Sequence, residues 1–291
     1  MECTYNQVDP LYDTTQGLNY RLSMLLCQDG FSFLVTHMHT LQILKLASYK
    51  LGPDDIRYNG LAGWPVNASE YFALIKKIDF LKLNYRHIDI AVSSFKITTA
   101  PYEFLKQADA MEIISAAHAV SPDEEMQLEP VFDLGPAVAM LVPAYIRENC
   151  MGLFPEAVQR CGPAVFVKGV MRKHSQLIAR QVFINIRREY FEISVIQGVR
   201  LLYLNTFRYS TPSDVLYYVI FVLEQLGFIP SEQDVTMMGE VVPGSTIAEE
   251  LKMYCGSLHF AECPDGISYS EAFSDVAMHQ YFTLLNIPLC E

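Results

Sequence analysis

Cys255, His259 and Cys263 stand four positions apart, a spacing from which thiolate and imidazole could begin a metal site. Gly256 and Pro264 break the local geometry and no fourth ligand is placed. The trio therefore reads as core cysteines beside a histidine. His37 and His39 put two imidazoles on one side of a strand, and a hairpin-end pair accounts for them without a metal. No metal site is expected. Two charged turns remain, Gln28-Asp29-Gly30 and Arg187-Arg188-Glu189. Asp-Gly between apolar runs is a strong hairpin signal. Paired arginines can hold a phosphate through their side chains, although such a pair is more often a solvated turn. Gly-x-Ser-x-Gly, Gly-x-x-x-x-Gly-Lys and His-Glu-x-x-His do not occur, so no catalytic residue is assigned.

The elements that would position these turns occur twice. An offset of 160 residues lays Phe31 on Phe191, Val35 on Val195, Leu41 on Leu201 and Tyr49 on Tyr209 without a gap. Each copy has an apolar run (21–27, 181–186), a polar break, a β-rich second run and a third strand-like run. Gly52-Pro53-Asp54-Asp55 or Thr211-Pro212-Ser213-Asp214 follows, the proline-then-acid signature of a helix start. The period far exceeds the roughly 20–50 residues of a solenoid unit. It predicts two pseudo-equivalent domains, each opening with a three-stranded antiparallel meander. The polar stretch 121–125 marks the boundary, giving domains 1–125 and 126–291.

Between these landmarks, residues 1–20 read as an arm and 51–67 as a loop dense in turn formers. Asn67 or Ser69 caps a helix to about Leu83. Residues 87–93 read as a strand, and Pro101 opens a helix to about His118. Residues 137–142 are strand-like, and 145–151 and 163–173 helical. The helix at 214–226 is apolar nearly all round, which predicts burial on both faces and a cost of about 3–5 kcal/mol for Phe221→Ala. A short strand at 234–238, a helix at 247–255, a strand at 258–263 and a closing helix at 278–285 complete the chain.

Of the 291 residues 51% are hydrophobic and 19% charged, enough to bury a substantial core. Thirty-three acidic against 21 basic side chains leave a net charge of −12, which disfavours a phosphate backbone as partner; no nucleic acid is expected. The first residues lack the apolar stretch of a secretory signal. The most apolar stretch, 215–223, is about half the length of a membrane span, so an integral membrane protein is not expected. Seven cysteines without C-x-x-C suggest reduced thiols and a cytoplasmic location.

A meander followed by helix–strand–helix–strand, written twice, resembles the ribonuclease-H-like, actin-like ATPase superfamily. Over most of its length the chain also resembles a family of uncharacterised bacterial proteins, a domain of unknown function with an actin-like ATPase fold. The local match is best over 181–227, with Asn185, Asn205, Phe207 and Tyr217-Tyr218. Actin-like type IV pilus assembly proteins are a more distant resemblance. The resemblance implies an α/β fold of two ribonuclease-H-like domains facing each other across a nucleotide cleft. Such a cleft needs in each first hairpin an aspartate, glycines that let backbone N–H groups approach phosphate, and a threonine or serine. Here Asp29-Gly30 lacks the intervening residue, and Asn185 stands where the metal-organising aspartate belongs. Arg187-Arg188-Glu189 replaces the second glycines, and Gly239 keeps one of the two glycines of the adenosine turn. Asp133-Leu134-Gly135 is a literal Asp-x-Gly, but Pro136 follows it and a plain turn explains it.

Asp29, Gly30, Asn185, Arg187, Arg188 and Gly239 are thus the positions of a degenerate cleft, with no cofactor expected. The resulting expectation is a non-catalytic actin-like scaffold for an unknown protein partner, with homo-oligomerisation left open. One alternative is an ATP-binding or kinase-like enzyme with unconventional contacts through Asp29, Arg187 or Arg188. Another is an assembly component that docks to a membrane or secretion partner.

Overall fold

The computed structural model describes residues 2–51, 64, 68–107, 110–132 and 135–290. The run at 21–27 serves two cores at once: Leu22, Met24 and Leu26 pack into one, Leu25 and Cys27 into the other. It forms β2 (Tyr20–Cys27), which turns into β3 (Gly30–His37) and then β4 (Ile43–Lys50), each pair antiparallel. On the far side of β2, β5 (His87–Val92) and β9 (Val158–Cys161) add in parallel. The expected arm contains a strand, β1 (Glu2–Val8), antiparallel to β4. Most of its side chains are exposed, so no apolar alternation marks it in the sequence. The sheet runs β1-β4-β3-β2-β5-β9.

Strands from both sides of the expected boundary at residue 125 share the first sheet. Residues 158–161, assigned to the second half, hydrogen-bond to β5 of the first sheet. The polar stretch leads into β7 (Glu124–Pro130), paired with β8 (Pro136–Pro143), which also pairs with β6 (Ile97–Pro101). Glu124 is buried there because both its oxygens accept from Lys96 Nζ, at 2.8 and 2.9 Å. Charge that is paired inside a fold looks in sequence like charge on a linker.

The second large sheet holds β10 (Arg180–Ile186), β11 (Tyr190–Gln197) and β12 (Arg200–Arg208), consecutively antiparallel. β13 (Val235–Gly239) and β14 (Leu258–Phe260) add in parallel beyond β10. The 160-residue offset carries one first hairpin onto the other: Leu22↔Val35 and Leu26↔Phe31 correspond to Val182↔Val195 and Ile186↔Phe191. The third strands depart from it, since Phe31 faces Tyr49 but Phe191 faces Phe207, not Tyr209. The first meander has the longer connection, His37 to Ile43 against Gln197 to Arg200, so the gapless alignment is out of register there.

Short helices α1 (Ala68–Ile75) and α4 (Ala144–Leu153) pack into the first core, and α2 (Tyr102–Gln107) and α3 (Ala110–Ala117) cover the small sheet. α5 (Gly162–His174) contributes Phe166, Val167 and Val170 to a core that also takes Phe183 and Met238 from the second sheet. α6 (Pro212–Gln225) starts at a capping box, in which Asp214 Oδ2 accepts from the Thr211 backbone N–H at 2.8 Å. With α7 (Thr246–Tyr254) it covers the second sheet through Val215, Val219, Val222 and Leu223. Its other face is not buried: Tyr217 is 63% and Phe221 44% exposed. The large truncation cost expected at Phe221 therefore belongs to the buried Val219 and Leu223. α8 (Phe282–Asn286) meets α5 at Gly169, where a Cβ would lie 2.4 Å from Asn286 Cγ. Leu284, Leu285 and Ile287 then pack beside Leu25, Leu34 and Leu46, which carries the chain back to the first sheet.

Candidate functional site

The first hairpin ends in a two-residue tip, Gln28-Asp29, between paired Cys27 and Gly30. The second ends in Arg188-Glu189, closed by Arg187 N–H donating to Tyr190 O at 2.9 Å. Tips this tight leave no run of free amides to cradle a phosphate. The tips come together. Gln28, Asp29, Arg187, Arg188, Glu189 and Tyr190 line a gap of about 10 Å³, room for about one water. Arg188 Nη1 donates across it to Leu51 O at 3.1 Å. Lys50, at the end of β4, pairs with Glu240, the residue after β13, in a second bridge between the sheets.

Asn185 is buried and committed. Its amide donates to Glu192 and, at 3.2 Å, to Thr283 Oγ1 on α8. Arg187 Nη2 donates to the same hydroxyl at 3.1 Å. Gly239 adopts φ +82°, and a Cβ there would lie 2.2 Å from Ile186 O, which accepts from Glu240 N–H at 2.8 Å. This glycine presses the turn after β13 onto the base of the second hairpin. Of the six positions read as a degenerate cleft, Asp29, Arg187 and Arg188 meet at the tips. Gly30, Asn185 and Gly239 lie immediately behind them. Asp133 and Leu134 lie outside the described residues, as do most of 51–67 and the expected cap Asn67.

Beside the closed tips lies a cavity of about 270 Å³. Asp29, Arg187, Lys50 and Glu240 line it together with Cys27 and Tyr281. Burial, then the nearby Glu240, pushes the Asp29 carboxyl up to about 6, with Lys50 opposing. Burial likewise holds the Cys27 thiol at about 12, so it is no nucleophile at neutral pH. Burial also raises Glu192, against the pull of Arg187 and the Asn185 hydrogen bond. Asp29 Oδ2 and Arg187 Nε are buried without a hydrogen-bond partner, as are Glu192 Oε1, Asn185 Oδ1 and Tyr190 Oη.

Because Asp29 titrates higher folded than its ordinary 3.8, the folded chain holds the extra proton between about pH 4 and 6. Stability attributable to this group is present at low pH and falls as pH rises through that window. Asp29→Asn should therefore raise stability at pH 7 by on the order of 2–3 kcal/mol, an upper figure for about two pKa units, and flatten the slope between pH 4 and 6. Urea titrations at pH 4.5 and 7 measure it; an unchanged slope would mean that Asp29 is solvated.

The other sequence candidates resolve into structure. His37 Nδ1 lies 3.4 Å from the backbone nitrogens of His39 and Thr40, a turn-end contact. Cys255 ends α7 as its C-cap, and no group of three His, Cys, Asp or Glu able to hold a metal occurs among the described residues. No helix among them is long and apolar enough to cross a membrane. Lys50, Glu192, Glu240 and Thr283 were not legible as site residues. They are brought there by strand ends and by a helix nearly a hundred positions downstream, with no shared motif.

No curated protein matches the chain. Among solved structures, the chain is similar to a Bacteroides thetaiotaomicron protein of actin-like ATPase fold and unknown function. The TM-score is 0.78 at 17% identity, over 97% of this chain and 100% of that one. It is also similar to the PilM–PilN type IV pilus biogenesis complex, with a TM-score of 0.65 at 9% identity over 92% and 97% of the two chains. At these identities the likeness is one of fold, the actin-like ATPase fold. The sequence itself matches a family model over residues 9–258, and the chain belongs to that family, described as a protein of unknown function (DUF3822).

Proposed function

We propose that this chain is a non-catalytic actin-like protein that serves as a protein-interaction scaffold. The observation that carries the reading is the narrow gap between the hairpin tips, with about 10 Å³ of free space, room for about one water and far too little for a nucleotide's phosphates. In this reading two ribonuclease-H-like halves, products of an internal duplication, are built around the two large sheets. They divide after α5, not at residue 125, because β9 pairs with β5. The fold's nucleotide chemistry is lost: Asn185 is tied to Glu192 and Thr283, and Arg188 spans the gap. The seven cysteines are free thiols, which fits a reducing, cytoplasmic setting.

A role as an assembly component is favoured by two observations. A protein of similar fold occurs in a type IV pilus biogenesis complex. The exposed stack of Tyr217 on Phe221, ring centroids 6.3 Å apart, is the type of aromatic surface that docks proteins.

Isothermal titration with Mg-ATP tests the reading. The expected dissociation constant is no tighter than about 1 mM, or roughly −4 kcal/mol, which adventitious Arg–phosphate contacts supply. Arg188→Ala, which removes the bridging side chain, should not restore affinity, since Asn185 and the glycine-free tip remain. Micromolar binding by the unaltered chain, or magnesium-dependent hydrolysis, would promote the enzyme alternative.

A further inference from the structure

Ile178, 85% exposed, is the most exposed large apolar side chain among the described residues, and Val199 on a neighbouring turn is 71% exposed. Two loops bring them together. Residues 175–179 run from the end of α5 to β10, and Gly198-Val199 is the tip between β11 and β12. Gly198 N–H donates to Leu177 O at 2.9 Å, which ties the tip to the loop. Leu177, 45% exposed, lies between the two. A single exposed apolar residue needs no explanation, but three on two joined loops make a ridge.

A groove of about 800 Å³ lies against this ridge and shares Val199 with it. Its wall includes Val131, Phe132, Met171 and Leu289, with Phe132 partly exposed. The two cations in the wall are already engaged. Lys168 pairs with Glu129 at 2.5 Å, and Arg172 Nη1 donates to Asn286 Oδ1 at 3.2 Å. Among the described residues, no side-chain nitrogen or oxygen of this wall is buried without a partner. Nothing polar there waits for a small ligand, and what the groove can accept is apolar surface.

The charge around the ridge decides between partners. Lys173 is set against Glu262 at 2.6 Å. Arg180 lines a second groove beside Leu177, together with Glu232 and Asp234. With Arg200 next to Val199, both signs surround the ridge in near-equal number, on a chain whose net charge is −12. The repulsion that keeps such a chain from its own copies is lifted here. An anionic membrane asks for a cationic excess, which these carboxylates remove. An apolar ridge, an adjacent apolar groove and balanced charge make a surface complementary to itself. We propose that the chain forms a symmetric homodimer in which Leu177, Ile178 and Val199 of each copy seat in the groove of the other. The proposal goes beyond the scaffold reading, which stands or falls on ATP and not on this surface.

Sedimentation velocity on the full chain, over about 1 to 100 μM, tests it. A dimer with a dissociation constant below about 10 μM is expected. It should persist from about 0.1 to 1 M NaCl, because the rim carries no large charge excess to screen. Ile178→Asp combined with Val199→Asp, its fold checked by circular dichroism, should weaken the dimer at least about 100-fold. Phe132→Asp, in the groove, should weaken it at least about tenfold, and Tyr217→Asp on α6 should leave it intact. A monomer up to about 100 μM would overturn the proposal on the unaltered protein, whatever the variants do. So would a dimer that survives both ridge charges, or one that Tyr217→Asp abolishes. Monomers that instead float with phosphatidylserine vesicles would overturn it too, in favour of a membrane. A separate Mg-ATP titration reads the scaffold proposal, so the two can fail independently.

Discussion

Asp89→Ala is expected to cost about 3–5 kcal/mol, the range for removing one partner of a buried ion cluster. Asp89 lies on β5 and is fully buried, with Arg21 Nε of β2 at 2.8 Å from one oxygen and Arg160 Nε of β9 at 2.9 Å from the other. Arg21 Nη1 also donates to Pro288 O at 2.8 Å. One carboxylate therefore ties three adjacent strands and, through Arg21, the returning C-terminal segment. Alanine would leave two guanidinium groups in the interior without a counter-charge, and that desolvation cost exceeds the packing lost. Asp89→Asn keeps one acceptor oxygen but sets an amide NH2 against the other guanidinium, and should fall between wild type and alanine. Urea denaturation measures both. A loss below 1 kcal/mol for the alanine variant would mean that water reaches the arginines and that the cluster is not sealed.

Gly239→Ala should be comparably damaging, by about 2–6 kcal/mol. The backbone at φ +82° costs an L-residue about 1–3 kcal/mol. Overlap adds about 1–3 more, because the new methyl would stand 2.2 Å from Ile186 O and 2.5 Å from Asn185 Oδ1. The same contact should push the second hairpin away and disturb the hydrogen bonds of Asn185. Gly244 supplies the control: it has φ +79° but nothing within 4 Å of its would-be Cβ. Gly244→Ala should show the backbone cost alone. If the two variants melt at the same temperature, close approach to the hairpin contributes nothing and the packing argument for Gly239 fails.

The strand-level plan was legible because it is local. Apolar runs flanking Asp29-Gly30 and Arg187-Arg188 announce hairpins, and Thr211-Pro212 with Asp214 announces a helix, through contacts that span three or four residues. Solvent-facing structure was harder to read. The polar β1 carries no alternation, and Tyr217 and Phe221 made α6 look buried on a face that stays largely exposed. The position of five of the six candidate residues followed from the hairpins, Gly239 lying instead at the end of β13, but their state did not. Composition could not say that Arg188 would reach Leu51 or that Asn185 would be claimed by Thr283.

What the sequence determined by itself was the set of hairpins, the helix starts and a second tip without glycines, since each depends on residues a few positions apart. Only the tertiary structure decided which strands share a sheet, which charges are paired and what lies between the tips. β9 joins the first sheet from across the expected boundary, Glu124 finds Lys96, and residues 281–287 return over the first sheet to complete the wall of the cavity. Those outcomes rest on burial and on pairing between groups far apart in the chain, and neither leaves a period or a spacing to be read along it.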